Sequence, residues 1–334
     1  MRERRAATTI GHRRFVARRR RLALAIVGAL AIGAFAAGVA IAHRARNGAR
    51  GQAAALTRAQ RAWAASRRPA RTVAVSCPAP SLGGTLPAMV YLPAGYDPSA
   101  ARYRVIYFLH GLPAGPDAYQ DNAFVAQALV TAHQRAIVVA AQGSRAADSD
   151  REYLDWGATE NWPGAIAHDL PRCIDARYHT VASRSGRALI GLSAGGYGAF
   201  NIGLRNLAQF GAVESWSGYF QATDPAGDRV LDLGSDAANR AATVPTGPAL
   251  TAALTAHPAM IAFYVGNQDT RFLAMNQAFD ASLRAAGVTH TFRIYPGGHS
   301  GALWRSQAPA WLTMALAYLA RSSRRHSPDG GTGG

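Results

Sequence analysis

The sequence predicts an α/β protein with one mostly parallel, doubly wound sheet and helices on both faces. Three observations carry this. Uninterrupted apolar runs, suited to strands buried on both faces, occur at 105–109 and 137–140, and Arg187-Ala188-Leu189-Ile190 reads as a further short buried strand. Helix-length stretches lie between or after them, near 118–133, 163–178, 271–286 and 303–320. The alternation runs over about 250 residues with no internal repeat, as one α/β domain requires.

Taken in order, the chain of 334 residues opens with a basic segment, 1–21, holding nine arginines. An uncharged apolar run follows at 22–42, and 21 residues are long enough to cross a bilayer as a helix. Arg18-Arg19-Arg20-Arg21 outweighs the arginines behind the run, so 1–21 is expected in the cytoplasm as a tail and the remainder outside. Ala40-Ile41-Ala42 has the form of a signal-peptide cleavage site, which keeps a secreted product open beside an uncleaved single-pass anchor in the cell membrane. Residues 43–71 read as a linker and 321–334 as a disordered tail.

All 36 basic residues are Arg, and their distribution matters more than the net charge of +17. Residues 1–71 carry a net +16, whereas 72–320 carry −1. The predicted domain, 72–320, is therefore nearly neutral, and a nucleic-acid partner is not expected.

Within the domain, 72–76 and 88–92 are close enough to pair as antiparallel strands. The buried runs at 105–109 and 137–140 follow, then the strand 187–190. Further strands are expected at 212–215, 261–265 and 291–295. Residues 218–258, rich in Gly, Ala, Pro and Asp, interrupt the alternation as a cap or lid.

The strand at 187–190 runs into Gly191-Leu192-Ser193-Ala194-Gly195, a G-x-S-x-G sequence followed by a small-residue helix. Strand, glycine-flanked serine and helix form the context in which a sharp turn exposes a nucleophile above a sheet. A serine hydroxyl needs a base, and the base needs an orienting acid. In such sheets, ligands meet the carboxyl ends of strands. Asp269, after the strand at 261–265, and His299, after the last strand, satisfy that position in the order Ser, Asp, His. Asp269 could instead be only a helix cap, and Glu214 and Asp224 are the alternative acids. Acyl chemistry also needs oxyanion donors. The backbone N–H groups of Ala194 and Leu112 are the candidates, the latter in the loop His110-Gly111-Leu112 after the first buried strand. His110 itself reads as a brace of that loop.

These motifs, with Gly266-Asn267-Gln268-Asp269 and Gly297-Gly298-His299-Ser300 followed by Trp304, resemble the branch of α/β hydrolases that holds esterase D, feruloyl and other carbohydrate-ester esterases, and the mycolyltransferases. The resemblance covers about 75–320. It implies the α/β-hydrolase fold and a serine hydrolase or acyltransferase without cofactor or metal. The chain departs from the branch in having Gly301 two residues after the histidine, where an aromatic is frequent, and in offering Asp269 where mycolyltransferases typically carry Glu.

The function expected is that of an exported serine esterase acting on a small-molecule, lipid or carbohydrate ester. Acyl transfer to a sugar hydroxyl and a catalytically silent glycan-binding protein are the alternatives. Two residual features stay open. Cys77 and Cys173 can form a disulfide outside the membrane or remain two buried thiols. Tyr153, Trp156 and Trp162 can line the mouth of the site or pack beneath a long loop.

Overall fold

The computed structural model describes residues 43–44, 46–48, 50–51, 68–99, 101–143, 152–223 and 229–325. The segments predicted as cytoplasmic tail and membrane crossing, 1–21 and 22–42, lie outside the described residues, as does most of the linker. Among the described residues no helix is long and apolar enough to cross a membrane.

Eight strands form one sheet in the order β1-β2-β4-β3-β5-β6-β7-β8. β1 (Arg71–Ala79) and β2 (Gly84–Leu92) are the antiparallel pair expected from the sequence, and β2 also runs antiparallel to β4. From β4 (Ile137–Ala141) and β3 (Val105–Leu109) through β5 (Arg187–Leu192), β6 (Ala212–Trp216), β7 (Met260–Gly266) and β8 (Thr291–Tyr295) the pairing is parallel. Every residue of β3, β4, β6 and β7 is buried, which explains their lack of alternation.

Both faces are covered. α1 (Ala123–Thr131) and α7 (Gly301–Arg325) pack on one face, around Phe108, Trp216, Tyr264 and Trp311. On the other lie α2 (Leu170–Arg177), α3 (Ala194–Arg205), α5 (Gly247–Ala256) and α6 (Leu273–Ala285), around Tyr107, Phe200, Phe263 and Phe279. Burying each such aromatic stabilises the fold by about 1.5–3 kcal/mol.

β3 and β5 are neighbours, yet the chain leaves β3 toward β4 and leaves β5 toward β6. Their following loops diverge, and a crevice opens at their carboxyl ends, the position where such sheets bind ligands. The loop at His110 and the turn at Ser193 meet there.

Two boundaries differ from expectation. Arg68 accepts a bond from Gly95 N–H and donates to the Tyr96 carbonyl, so the domain begins before residue 72. α7 continues to Arg325, beyond the expected end at 320, and in the added turn Ser323 Oγ donates to the carbonyls of Leu319 and Ser185. The described part of 218–258 contains α4 (Asp236–Ala241) and α5, and is fastened to α3. Tyr197 and Asn201 donate to the carbonyls of Ala242 and Ala241.

The structure resolves the cysteine question in favour of a disulfide. Cys77 of β1 and Cys173 of α2 are joined across 96 residues of sequence. Sequence alone had no means of bringing the two together, since only the packing of α2 beneath β1 does so.

Candidate active site

Ser193 sits between the last residue of β5 and the first of α3 with φ 54° and ψ −125°, a conformation L-residues rarely adopt. The surrounding glycines are dictated by contact. A Cβ on Gly191 would lie 2.1 Å from the Gly195 carbonyl oxygen. A Cβ on Gly195 would lie 2.1 Å from the carbonyl oxygen of Leu109 and 2.5 Å from that of His110. Backbone atoms cannot yield as a side chain can, so the turn tolerates only glycine at both places. The Ser193 N–H donates to the Trp216 carbonyl at 2.9 Å, which ties the turn to the end of β6.

His299 arrives from the loop after β8, with Nε2 3.0 Å from Ser193 Oγ. Its Nδ1 lies 2.8 Å from Asp269 Oδ2, from the turn after β7. The other carboxylate oxygen of Asp269 accepts the Phe272 N–H at 3.2 Å. Asp269 thus holds the turn before α6 as well as the imidazole, so the capping and orienting alternatives are both present in one side chain. The Asp269 side chain is wholly buried, while that of His299 is 18% exposed, open enough for a substrate to reach its outer nitrogen.

Two rings flank the imidazole at steep angles. Phe272 lies 5.2 Å away by ring centroids and Trp304 5.1 Å. Trp304 is fixed in turn by its indole N–H, which donates to Ser217 Oγ at 3.0 Å.

The loop after β3 lies against the turn. A Cβ on Gly111 would sit 3.3 Å from the Ser193 Cβ, so the backbone leading to Leu112 passes beside Ser193. Leu112 is half-buried in this loop and Ala194 opens α3. His110 is a brace, as its position suggested. Its Nδ1–H donates to the Gly111 carbonyl at 2.8 Å, and its Nε2 accepts the Gly143 N–H at 2.9 Å. Burial pushes its pKa down, so the ring stays neutral with both nitrogens engaged.

Glu214, an alternative acid, is excluded by strand alternation. Val213 and Ser215 face α3, whereas Glu214 points to the other face, under α7. There it is fully buried, accepts the Trp216 indole N–H at 2.9 Å, and has its pKa pushed up to about 8 by burial. Asp224 lies outside the described residues.

Of three further elements, Glu152 and Ser217 carry no signal in the sequence, and Tyr153 is marked there only as an aromatic of the mouth or of the packing beneath a loop. Tyr153, fully buried with φ 54°, donates to the His110 carbonyl at 2.7 Å and fills the space left by Gly143 and Gly198. Glu152, also at positive φ, accepts the Tyr219 hydroxyl at 2.6 Å. Ser217 receives Trp304. Of the three aromatics left open above, Tyr153 and Trp162 are core, and Trp156 alone is exposed, at 39%. Among the described residues no group of three or more His, Cys, Asp and Glu side chains could hold a metal ion.

The sheet order, the strained serine turn and the helices on both faces define an α/β-hydrolase-like fold. More particularly, the chain belongs to the family described as Putative esterase, whose model matches residues 79–313. It is similar to Esterase Rv1288 of Mycobacterium tuberculosis, with 27% identity over 237 residues, covering 63% of this chain and 51% of that protein. The chain therefore spans about half the length of the curated relatives it matches. Among solved structures it is similar in fold to a ferulic acid esterase, with a TM-score of 0.60 at 23% identity, covering 75% of this chain and 98% of the other. It is likewise similar to an S-formylglutathione hydrolase of Staphylococcus aureus, with a TM-score of 0.58 at 17% identity, covering 74% and 99%.

Proposed function

We propose that this chain hydrolyses carboxylic esters through a covalent acyl-enzyme, with Ser193 as nucleophile, His299 as general base and acid, and Asp269 as the group that orients it. The observation carrying this reading is the unbroken line of contacts from Ser193 Oγ through the imidazole to a buried carboxylate, at 3.0 and 2.8 Å.

The Asp269 carboxylate fixes the proton of His299 on Nδ1, which leaves Nε2 to accept the Ser193 proton as Oγ attacks the ester carbonyl. The carbonyl π pair moves to oxygen. The resulting oxyanion is met by the N–H groups of Ala194 and Leu112, where the N-terminus of α3 also favours negative charge. Collapse breaks the bond to the alcohol oxygen, which takes the proton from Nε2 and leaves. Water then enters, gives a proton to Nε2, and attacks the acyl-enzyme. The second collapse returns that proton to Ser193 and releases the acid.

The substrate class is an acyl or carbohydrate ester. A sugar hydroxyl replacing water in the second half would make the same enzyme an acyltransferase. The localisation proposed is the cell membrane, anchored by 22–42 with the domain outside, or secreted if that segment is cleaved. The charge step at residue 71 and the Cys77–Cys173 disulfide support export, since disulfides persist in oxidising compartments.

The test is covalent labelling with a fluorophosphonate, followed by hydrolysis of 4-nitrophenyl acetate with and without added sugars. Wild type should label and turn over, and Ser193→Ala should do neither. A wild-type chain that refuses the label would favour a silent binding protein.

A further inference from the structure

In the first turn of α7, Gly301 stands two residues after His299. A Cβ built on Gly301 would lie 2.8 Å from Arg305 Nη1 and 3.2 Å from its Cζ. The Arg305 guanidinium therefore lies over position 301 and takes the volume a side chain there would fill. Helix geometry explains the placement, because residues four apart share a face and side chains lean toward the N-terminus. Arg305 is exposed and makes no hydrogen bond or ion pair among the described residues.

A second guanidinium lies against a ring that neighbours the base. Arg271 Cζ lies 4.9 Å from the centroid of Phe272, whose ring centroid is 5.2 Å from that of His299. Phe272 and Trp304 thus flank the imidazole, with Arg271 over the first and Arg305 next in sequence to the second. The domain between 72 and 320 has a net charge of −1, so these cations are a local feature and not part of a general basic surface.

The chemistry says which part of the substrate meets them. The alcohol oxygen must come within hydrogen-bond reach of His299 Nε2 to take its proton. The alcohol portion therefore extends past the His299 loop, whereas the acyl portion, bonded to Ser193, does not have to. Resting on the esterase reading above, we propose that Arg305, aided by Arg271, selects esters whose alcohol portion carries an anionic group such as a carboxylate.

The experiment compares 4-acetoxybenzoate with its neutral methyl ester, methyl 4-acetoxybenzoate. The two share acyl group and ring and differ in one charge on the alcohol side. The readout is the ratio of kcat/KM for the anionic over the neutral ester, measured for wild type, Arg305→Gln, Arg305→Lys and Arg271→Gln/Arg305→Gln. Arg305→Gln should lower that ratio about two- to fivefold, as loss of one exposed charge pair predicts. The double variant should lower it further, and Arg305→Lys should retain most of it. The change should fall on KM, because the contact is made equally before and during the reaction. Raising the salt concentration should shrink the wild-type ratio toward that of the double variant.

A control pair moves the charge to the acyl side, using mono(4-nitrophenyl) succinate against 4-nitrophenyl butyrate, and its ratio should not change. A ratio on the alcohol side that is the same in wild type and Arg305→Gln overturns the proposal. So does an equal fall on both sides, which would mean a diffuse field and no recognition of the alcohol. If wild type labels with fluorophosphonate yet cleaves only the anionic ester, the proposal is supported at its strongest. If it cleaves neither ester and does not label, the esterase reading fails and the proposal falls with it.

Discussion

Asp269→Asn keeps the size, the burial and one carbonyl-type oxygen of the side chain while exchanging a carboxylate oxygen for an amide NH2. The oxygen that accepts the Phe272 N–H at 3.2 Å is preserved in kind, and Asn caps a helix about as well as Asp. At His299 the effect is different. An amide NH2 beside Nδ1 can only donate, so Nδ1 must become the acceptor and the ring proton moves to Nε2. That nitrogen, 3.0 Å from Ser193 Oγ, can then no longer take the serine proton. Mispairing of the tautomer in other triads lowers kcat by on the order of 10³–10⁴, equivalent to about 4–5.5 kcal/mol of barrier. Stability should fall by less than about 1 kcal/mol, since no cavity opens and the cap survives. The assay is kcat for 4-nitrophenyl acetate together with the rate of fluorophosphonate labelling, with urea unfolding as the control. Turnover within tenfold of wild type in a folded Asp269→Asn would refute the assignment of Asp269 as the orienting acid.

Glu214 supplies a pH prediction. Its carboxyl ionises near 8 in the folded protein, against 4.5 for an unperturbed glutamate, so between those values the folded state retains a proton that the unfolded state has lost. Stability should then fall as pH rises through that window, by about 1.4 kcal/mol per pH unit, and level off above it. Glu214→Gln should flatten this slope in urea titrations at pH 5, 7 and 9, and an unchanged slope would refute the burial argument. Gly195→Ala forces a methyl to 2.1 Å from the Leu109 carbonyl oxygen, and should cost roughly 1–3 kcal/mol or prevent folding, with labelling abolished. Cys77→Ser/Cys173→Ser opens a loop spanning 96 residues, and should lower unfolding free energy under oxidising conditions by about 4–5 kcal/mol in the chain-entropy account. Trp304→Phe keeps a ring beside His299 but removes the bond to Ser217. It should lower kcat roughly ten- to hundredfold with little change in melting temperature, as a small misplacement of the base would.

What the sequence made legible was whatever local sterics or period dictate. The buried runs at 105–109 and 137–140 read as central strands because apolar residues on both faces admit no alternation. Gly191 and Gly195 are readable because the turn itself excludes a Cβ. Asp269 was ambiguous for a physical reason, since it serves both readings at once through its two oxygens. Glu214 was a plausible acid only while the face it points to was unknown. The contacts that escaped are those made between segments distant in sequence. Tyr153 on the His110 carbonyl spans 43 residues, Trp304 on Ser217 spans 87, and Cys77 on Cys173 spans 96. None has a local signature, because each depends on how the fold packs distant segments together.

The sheet order gives three consecutive residues an outsized part in the geometry. The Trp216 carbonyl holds the Ser193 N–H at 2.9 Å and so fixes the serine turn. Ser217, at φ 50° and with its N–H on the Tyr264 carbonyl at 2.7 Å, presents the hydroxyl that holds Trp304 against His299. The Gly218 carbonyl accepts Asn276 Nδ2 at 2.8 Å, and the same Nδ2 donates to the Phe272 carbonyl, within the segment whose N–H holds Asp269. Ser193, His299 and Asp269 come from three separate turns, yet each is referred to the end of β6. A positive φ at a serine costs on the order of 1–3 kcal/mol, and it persists where the surroundings over-determine the backbone. Bonds to Trp304 and Tyr264 do so at Ser217. The same connection accounts for the small residue at 218, where a Cβ would meet Ser215 Oγ at 2.2 Å and push this segment away from the serine turn. A displacement of residues 216–218 would therefore move all three groups together in origin but in different directions, which is why the segment tolerates so little freedom.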